Sequence, residues 1–447
     1  MASPLNTAAG FVAALRGAAP YVHAHHGRVF VVAFGGDTAA RADFPDLLHD
    51  LALLHSLGVK LVLVHGLRPQ IDAQMRAHGL EPTFTHDLRV TNAAAMECVK
   101  AAAGILRTDI EAQLSAGLAN TPMGGAHLSI AGGNWITARP VGVRSGVDHQ
   151  LTGEVRHVAL GAIRDVLAQD RVALLSPIGY SPSGEAFNLR AGDVAGAVAA
   201  GLGADKLIFV LDSDLRAWRR LLRSRSSGHL SLDELDTFLQ HPRRKPLAAE
   251  NRALLDSALA AGRHGVARVH LVGAANDGAI LRELYTRDGS GLMFYADADY
   301  EALRTATLDD IGGIQALIAP LEAQGVLVPR SREKLELDIG HFDVAVRDGT
   351  VIACAATQPF PDAGMAEFAC VTVHPDYRDA GYAAALLARA EARTKAAGGT
   401  GLFALTTHAP HWFIEHGFSR SQVEALPIAK RELYNWQRKS LVLVKAL

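Results

Sequence analysis

The segment of this chain best equipped to do chemistry is Arg378-Asp379-Ala380-Gly381-Tyr382-Ala383. It follows an apolar run, Phe368-Ala369-Cys370-Val371-Thr372-Val373, and a turn signal at His374-Pro375-Asp376-Tyr377. It opens into an Ala- and Leu-rich stretch, 383–396, of helical composition with few breakers. Strand, thin loop and helix N-terminus in that order make an anion site. The first amide N–H groups of a helix have no internal partner, and the helix dipole favours negative charge. Gly381 lets the backbone approach a ligand, Ala383 keeps the loop thin, and Arg378 adds a positive charge.

Downstream, Leu402-Phe403-Ala404-Leu405-Thr406 reads as a further strand, and His411-Trp412-Phe413-Ile414-Glu415-His416-Gly417-Phe418 as a short helix closing on a Gly-Phe turn. With the Arg-x-x-Gly-x-Ala loop, these pieces resemble GNAT-type acetyltransferases, whose pyrophosphate loop grips coenzyme A. The resemblance implies that Arg378, Asp379, Ala380, Gly381, Tyr382 and Ala383 bind acetyl-CoA. It also implies that amides of the strand from Val371 to Val373 polarise the thioester carbonyl where the sheet splays.

Acetyl transfer to an amine also needs a base and partners for the acceptor's other charges. Glu367, at the start of the strand before the loop, is the candidate base, acting directly or through a water. Its neighbours Ala366 and Phe368 place it in apolar company, which raises a carboxylate's proton affinity. Many GNAT enzymes carry a Tyr where this chain has Trp412-Phe413; neither can donate a proton to the leaving thiolate, so Tyr434 or water is left for that role. Two arginine clusters, Val328-Pro329-Arg330-Ser331-Arg332-Glu333 and Tyr434-Asn435-Trp436-Gln437-Arg438-Lys439-Ser440, would suit an acceptor with two carboxylates.

Length and composition set the frame. At 447 residues two or three domains are expected, and 49% apolar with 20% charged residues describes a soluble globular protein. The formal net charge of −2 gives no reason to expect nucleic acid or an anionic membrane as partner. No apolar run reaches membrane-spanning length, and the first residues lack a secretory pattern, so a cytoplasmic location is expected. Cys98, Cys354 and Cys370 are odd in number and widely spaced, as reduced buried thiols would be. His23-Ala24-His25-His26 lacks ligand spacing on a helical run, and no metal is expected.

The first two-thirds alternates strand and helix signals. Strands are expected at 29–34, 61–64, 171–175, 206–211 and 267–272, with helices at 43–57, 193–202 and 248–261. This pattern predicts an α/β unit whose mainly parallel sheet is sandwiched between helices. Val64-His65-Gly66-Leu67-Arg68-Pro69-Gln70-Ile71, Val31-Val32-Ala33-Phe34-Gly35-Gly36 and Phe187-Asn188-Leu189-Arg190-Ala191 resemble motifs of the amino-acid kinase fold, and of acetylglutamate kinases in particular. The catalytic pieces have changed. Ala33 stands in place of the first-strand lysine, Leu67 and Arg68 in place of phosphate-loop glycines, and Gly192 at the acidic position, although Asp193 fits after a one-residue shift. Phosphoryl transfer needs those cations and that carboxylate, so the unit is expected to be kinase-shaped without kinase activity.

Across nearly its full length the chain resembles the bacterial N-acetylglutamate synthases. The resemblance implies acetyl transfer from acetyl-CoA to L-glutamate, with Arg330, Arg438 and Ser440 binding glutamate. It implies L-arginine as an effector near Tyr21, Glu283, Gly289 and Gly291, and a homo-oligomer, such as a hexamer. A kinase-like domain is expected over 1–297 and a smaller α/β GNAT domain over 298–447. Two further readings stay open: a bifunctional synthase/kinase, and an arginine sensor whose GNAT domain only binds CoA. The polar stretch 224–228 is expected to be an exposed loop, and Arg243-Arg244-Lys245 a solvated face.

Overall fold

A computed structural model describes residues 8–85, 87–116, 128–213, 215–222, 228–241, 247–287, 289–296 and 300–447. Residues 224–227, the basic cluster Arg243-Arg244-Lys245 and the junction at 297–299 lie outside the described residues. The chain divides into two compact units, Met1–Asp297 and Ala298–Leu447. Among the described residues, no helix is long and apolar enough to cross a membrane.

In the first unit, helix α1 (Ala8–His25) leads to β1 (Val29–Phe34), α2 (Phe44–Ser56), β2 (Lys60–His65), α3 (Arg68–Ala77) and α4 (Ala93–Ser115). Strands β3 (Ile130–Ala131), β4 (Ile136–Pro140), β5 (Gly153–Val158), β6 (Val172–Leu175), β7 (Ile178–Tyr180) and β8 (Ala186–Asn188) precede α5 (Ala191–Leu202) and β9 (Lys206–Leu211). Then come β10 (His229–Ser231), α6 (Leu232–Gln240), α7 (Ala249–Arg263), β11 (Arg268–Gly273), α8 (Ala279–Tyr285) and β12 (Leu292–Tyr295).

Eight strands form one sheet in the order β10-β12-β11-β9-β1-β2-β6-β3, parallel except where β11 meets β12. The central strands read as unbroken apolar runs because helices cover both faces. Phe30, Val32 and Phe34 of β1 pack with α2 and α4, whereas Val31 and Ala33 pack with α5 and α7. A second sheet, β8-β7-β4-β5, was not anticipated from the sequence. Its strands are short and half-exposed, so neither alternation nor a buried run marks them.

The second unit comprises β13 (Glu301–Thr305), α9 (Ile311–Ala323), α10 (Arg332–Asp338), β14 (Phe342–Arg347), β15 (Thr350–Phe360), β16 (Met365–Val373), α11 (Tyr382–Ala396), β17 (Gly401–Thr406), α12 (Pro410–Glu415), β18 (Ser419–Ser421), α13 (Ile428–Arg431) and β19 (Leu441–Ala446). Its sheet runs β13-β14-β15-β16-β17-β19-β18. Only the β16–β17 pair is parallel. Ile311, Ile314, Ile318 and Leu335 cover one face. Leu386, Leu387 and Ala390 of α11 cover the other. Buried Asp343 holds α11 in place, accepting from Arg389 Nε at 2.7 Å and Arg393 Nη1 at 2.8 Å.

Candidate active site

Strands β16 and β17 pair only at Met365↔Gly401, Ala366↔Leu402 and Glu367↔Phe403. Beyond Glu367 they part, while β16 stays beside β15 as far as Val373↔Ala353. The register against β15 slips next to Cys370, whose φ of +54° marks a β-bulge that bends the strand. A wedge therefore opens in the sheet, bordered by Val371 and Val373, whose β17-side edge has no strand partner among the described residues.

At the end of this strand, Arg378 is exposed and extended, Asp379 takes φ +64° and Gly381 φ +86°, and α11 begins at Tyr382. No side chain caps α11, so its first amides remain available to an anion. Tyr382 divides its roles between backbone and side chain. Its N–H lies in the uncapped turn, while its hydroxyl donates to Glu301 Oε1 at 2.7 Å and burial pushes the phenol up. The side chain thus anchors the loop.

Glu367 is buried in a central strand, and the expectation of apolar company from Ala366 and Phe368 is corrected. Strand alternation sends those two into the core under α11. Glu367 shares its face with Met365, beneath a layer of Leu426, Tyr434 and Val442 around Phe403. Its Oε2 accepts from Lys430 Nζ at 2.7 Å. Sequence reasoning missed Lys430; nothing local in Ile428-Ala429-Lys430-Arg431 signals that its ammonium meets a strand carboxylate sixty-three residues away.

Of the expected acceptor residues, Arg330 donates its amide to Glu322 Oε1 at 3.0 Å. Arg438 Nη2 donates to the Val326 carbonyl, tying its loop to the segment that carries Arg330. The Ser440 carbonyl accepts from the Tyr434 hydroxyl at 2.7 Å, which commits that hydroxyl to holding the loop. Phe413 is buried against Phe368 and Phe418.

In the first unit, a 520 Å³ cavity lies at the carboxyl ends of β1, β2 and β9, lined among others by Ala33, Gly36, Arg68, Asn188, Asp193 and Glu250. Ala33 presents a methyl group to it. Arg68 is neutralised by Glu250 at 3.2 Å and Asp87 at 3.7 Å. Asp193 is pushed up by burial and accepts from Ser257 Oγ at 3.0 Å.

Elsewhere in this unit, Glu283 is buried rather than solvated. It accepts from His270 Nδ1 at 2.7 Å, the Ser290 amide at 2.7 Å and the Gly291 amide at 2.6 Å. Burial alone would raise its carboxyl, but these donors bring it below the usual range. The turn is tight: Gly289 takes φ +61°, and a Cβ on Gly291 would sit 2.4 Å from the Leu271 carbonyl. Tyr21 lies on α1, its ring 6.2 Å from that of His25, which in turn stands 5.6 Å from Tyr285 and donates through Nε2 to the Leu284 carbonyl at 2.8 Å. His270 Nε2 and the Tyr285 hydroxyl are buried without a partner among the described residues.

Comparison with known proteins agrees with both halves. Residues 28–273 match the amino acid kinase family and 316–418 the acetyltransferase (GNAT) family. The amino-acid acetyltransferase of Ectopseudomonas mendocina (strain ymp) is 48% identical over 98% of this chain and 99% of its own. That of Azotobacter vinelandii is 48% identical over 97% and 98%. The N-acetylglutamate synthase of Neisseria gonorrhoeae, solved with coenzyme A and L-arginine, superposes with a TM-score of 0.84 at 35% identity over 98% of this chain and 99% of that one. The same enzyme solved with coenzyme A and N-acetyl-glutamate gives 0.60 at 36% identity over the same shares. The chain belongs to the bacterial amino-acid acetyltransferases, the N-acetylglutamate synthase family, in which an amino-acid-kinase-like unit precedes a GNAT unit.

Proposed function

We propose that the chain transfers the acetyl group of acetyl-CoA to the α-amine of L-glutamate, opening arginine biosynthesis, and that L-arginine regulates it through the first unit. The observation that carries this reading is the meeting of one buried carboxylate, Glu367, with the ammonium of Lys430 at the last parallel pair before the β16–β17 wedge opens. Acetyl-CoA supplies the activated acyl group. The uncapped turn at Tyr382, Ala383 and the exposed Arg378 suit its phosphates, with Asp379, Ala380 and Gly381 shaping the loop. Edge amides between Val371 and Val373 are placed to receive the negative charge that grows on the thioester oxygen. Glu367 takes the ammonium proton, directly or through one water, and the neutral amine nitrogen bonds to the acyl carbon as the C–S bond breaks, its second proton passing to solvent. The departing sulfur takes a proton from solvent, since Tyr434 is engaged and Phe413 has none to give. Arg330, Arg438 and Ser440 hold the acceptor's carboxylates.

That the Neisseria enzyme was solved with L-arginine supports L-arginine as a ligand; its cleft in this chain is assigned to the first unit, at Tyr21, Glu283, Gly289 and Gly291. Ala33 in the cavity wall and the neutralised Arg68 support a unit without phosphoryl transfer. A homo-oligomer, as large as a hexamer, in the cytoplasm completes the proposal. Release of free CoA thiol, followed with DTNB on mixing purified protein, L-glutamate and acetyl-CoA, with and without L-arginine, tests it. No glutamate-dependent thiol would overturn the synthase reading. ATP-dependent phosphorylation of N-acetylglutamate would overturn the reading of the first unit.

A further inference from the structure

Glu367 and Lys430 neutralise each other at 2.7 Å, with side chains only 11% and 24% exposed. A base engaged in this way is not ready to work. The acceptor's ammonium must reach the carboxylate that already holds a lysine ammonium, and two cations compete for one anion. Nor can the pair simply open, because each partner would be left as an uncompensated, poorly hydrated charge. It can be exchanged if the arriving molecule brings an anion of its own.

The surroundings favour exchange. Lys430 projects from the four-residue helix α13, which is pinned from the next position by Arg431 Nη2 donating to the carbonyls of Glu424 at 2.6 Å and Leu426 at 3.1 Å. The backbone is thereby held while the flexible four-carbon stem of Lys430, with its three donors, can swing to a new acceptor. Arg330 and Arg438 are half-buried and make no ion pair among the described residues. Lys430 is the ion-pair partner of Glu367 among the described residues, so a ligand that presents a carboxylate to Lys430 and an ammonium to Glu367 compensates both charges at once.

We propose that Lys430 is a carboxylate-exchange residue. It is paired with Glu367 when the acceptor is absent, passes to a carboxylate of the bound acceptor, and so frees Glu367 to take the acceptor's ammonium proton. This rests on the reading of Glu367 as base and of a dicarboxylic amino acid as acceptor. No covalent bond is made in the exchange. One ion pair replaces another, the acceptor nitrogen loses a proton that Glu367 gains, and the pocket's total charge is unchanged. An acceptor lacking the relevant carboxylate can bind but leaves Lys430 on the base. Selectivity therefore falls on kcat, not only on KM.

The test compares L-glutamate with L-glutamine and L-isoglutamine, which amidate one carboxylate each, in the full-length wild type, Lys430→Met and Lys430→Arg. In the wild type one amide should lose kcat by roughly 50-fold or more relative to glutamate. In Lys430→Met the kcat ratio for that amide should collapse to about threefold while the KM for glutamate rises about tenfold or more, and Lys430→Arg should restore the discrimination. Discrimination confined to KM in the wild type, or an unchanged kcat ratio in Lys430→Met, overturns the exchange. Glu367→Gln is run beside them: undiminished turnover there removes the base itself, a failure separate from that of Lys430. Should Lys430→Met not fold, a crystal structure of the wild type with L-glutamate and a non-reactive CoA thioether decides. Lys430 Nζ on a ligand carboxylate supports the exchange, and an intact pair with Glu367 overturns it.

Discussion

Glu367 stands opposite Phe403 in the last parallel pair of β16 and β17, so the candidate base occupies the point where the sheet begins to open. The β-bulge at Cys370 bends the strand just beyond, and the α11 loop follows after Val373. Along one strand the order is therefore base, wedge edge, then loop. A substrate amine at Glu367 and a thioester along the wedge can meet without either leaving the strand. This colinearity makes the roles separable by mutation.

Glu367→Gln keeps the size of the side chain and removes its ability to take a proton. Turnover should fall by roughly 10²–10⁴-fold, the usual worth of general base catalysis. The KM for acetyl-CoA should change by less than about threefold, because the donor loop begins eleven residues later along the chain. Steady-state kinetics with acetyl-CoA varied at saturating L-glutamate checks both numbers, and unchanged kcat would remove Glu367 from its role.

Gly381 separates donor binding from chemistry in the opposite sense. A Cβ added there meets no heavy atom within 4 Å, so space is not the obstacle. The obstacle is its φ of +86°, which costs an L-residue about 1–2 kcal/mol. Gly381→Ala should shift the loop, raise the KM for acetyl-CoA by roughly 5–10-fold and leave kcat within about twofold. A wild-type KM in a folded variant would mean that the loop does not hold the donor.

For the first unit, Glu283→Gln preserves shape but gives up the charge that gathers His270, Ser290 and Gly291. Hydrogen bonds to a charged group contribute about 1.5–3 kcal/mol, so loosening this turn should weaken L-arginine binding by about tenfold or more in calorimetry. Binding of wild-type strength would place the effector elsewhere.

What the sequence made legible follows from locality. The run Val29–Phe34 is apolar from end to end and the run Lys206–Leu211 is apolar after its first residue, and each became a central strand with those bounds. The turn at 378–383 announced itself because glycine at φ +86° and an uncapped helix start are encoded in adjacent residues. Glu367 was legible as a residue but not in its surroundings. Sequence neighbours Ala366 and Phe368 point to the opposite face, and the partner that matters, Lys430, arrives from another part of the chain. Glu283 poses the same difficulty: a charged residue in a seven-residue helix looks solvated until the fold places His270 and the 289–291 turn over it. Charge partners are chosen by tertiary structure.

Two buried histidines give the first unit a pH dependence with a definite sign. Burial lowers both His25 and His65 from 6.5 to about 4; Lys206 adds to the effect at His25. Released by unfolding, each would take its proton near pH 6.5, while the folded chain accepts it only near pH 4. Within that window the unfolded chain binds more protons, so stability falls as pH drops from about 6.5 to 4 and the loss is complete below. At pH 5 each histidine should account for about 2 kcal/mol. Asp50, pushed up to about 6 by burial and by Asp277 and Asp46, works in the opposite direction and offsets part of the loss. His25→Phe retains an aromatic ring beside Phe30 and Tyr285 but cannot be protonated. Between pH 7 and 5, urea denaturation of this variant should show about 2 kcal/mol less loss of stability than the wild type, whatever its stability at pH 7. Equal losses in the two proteins would mean that His25 is not a source of the acid sensitivity.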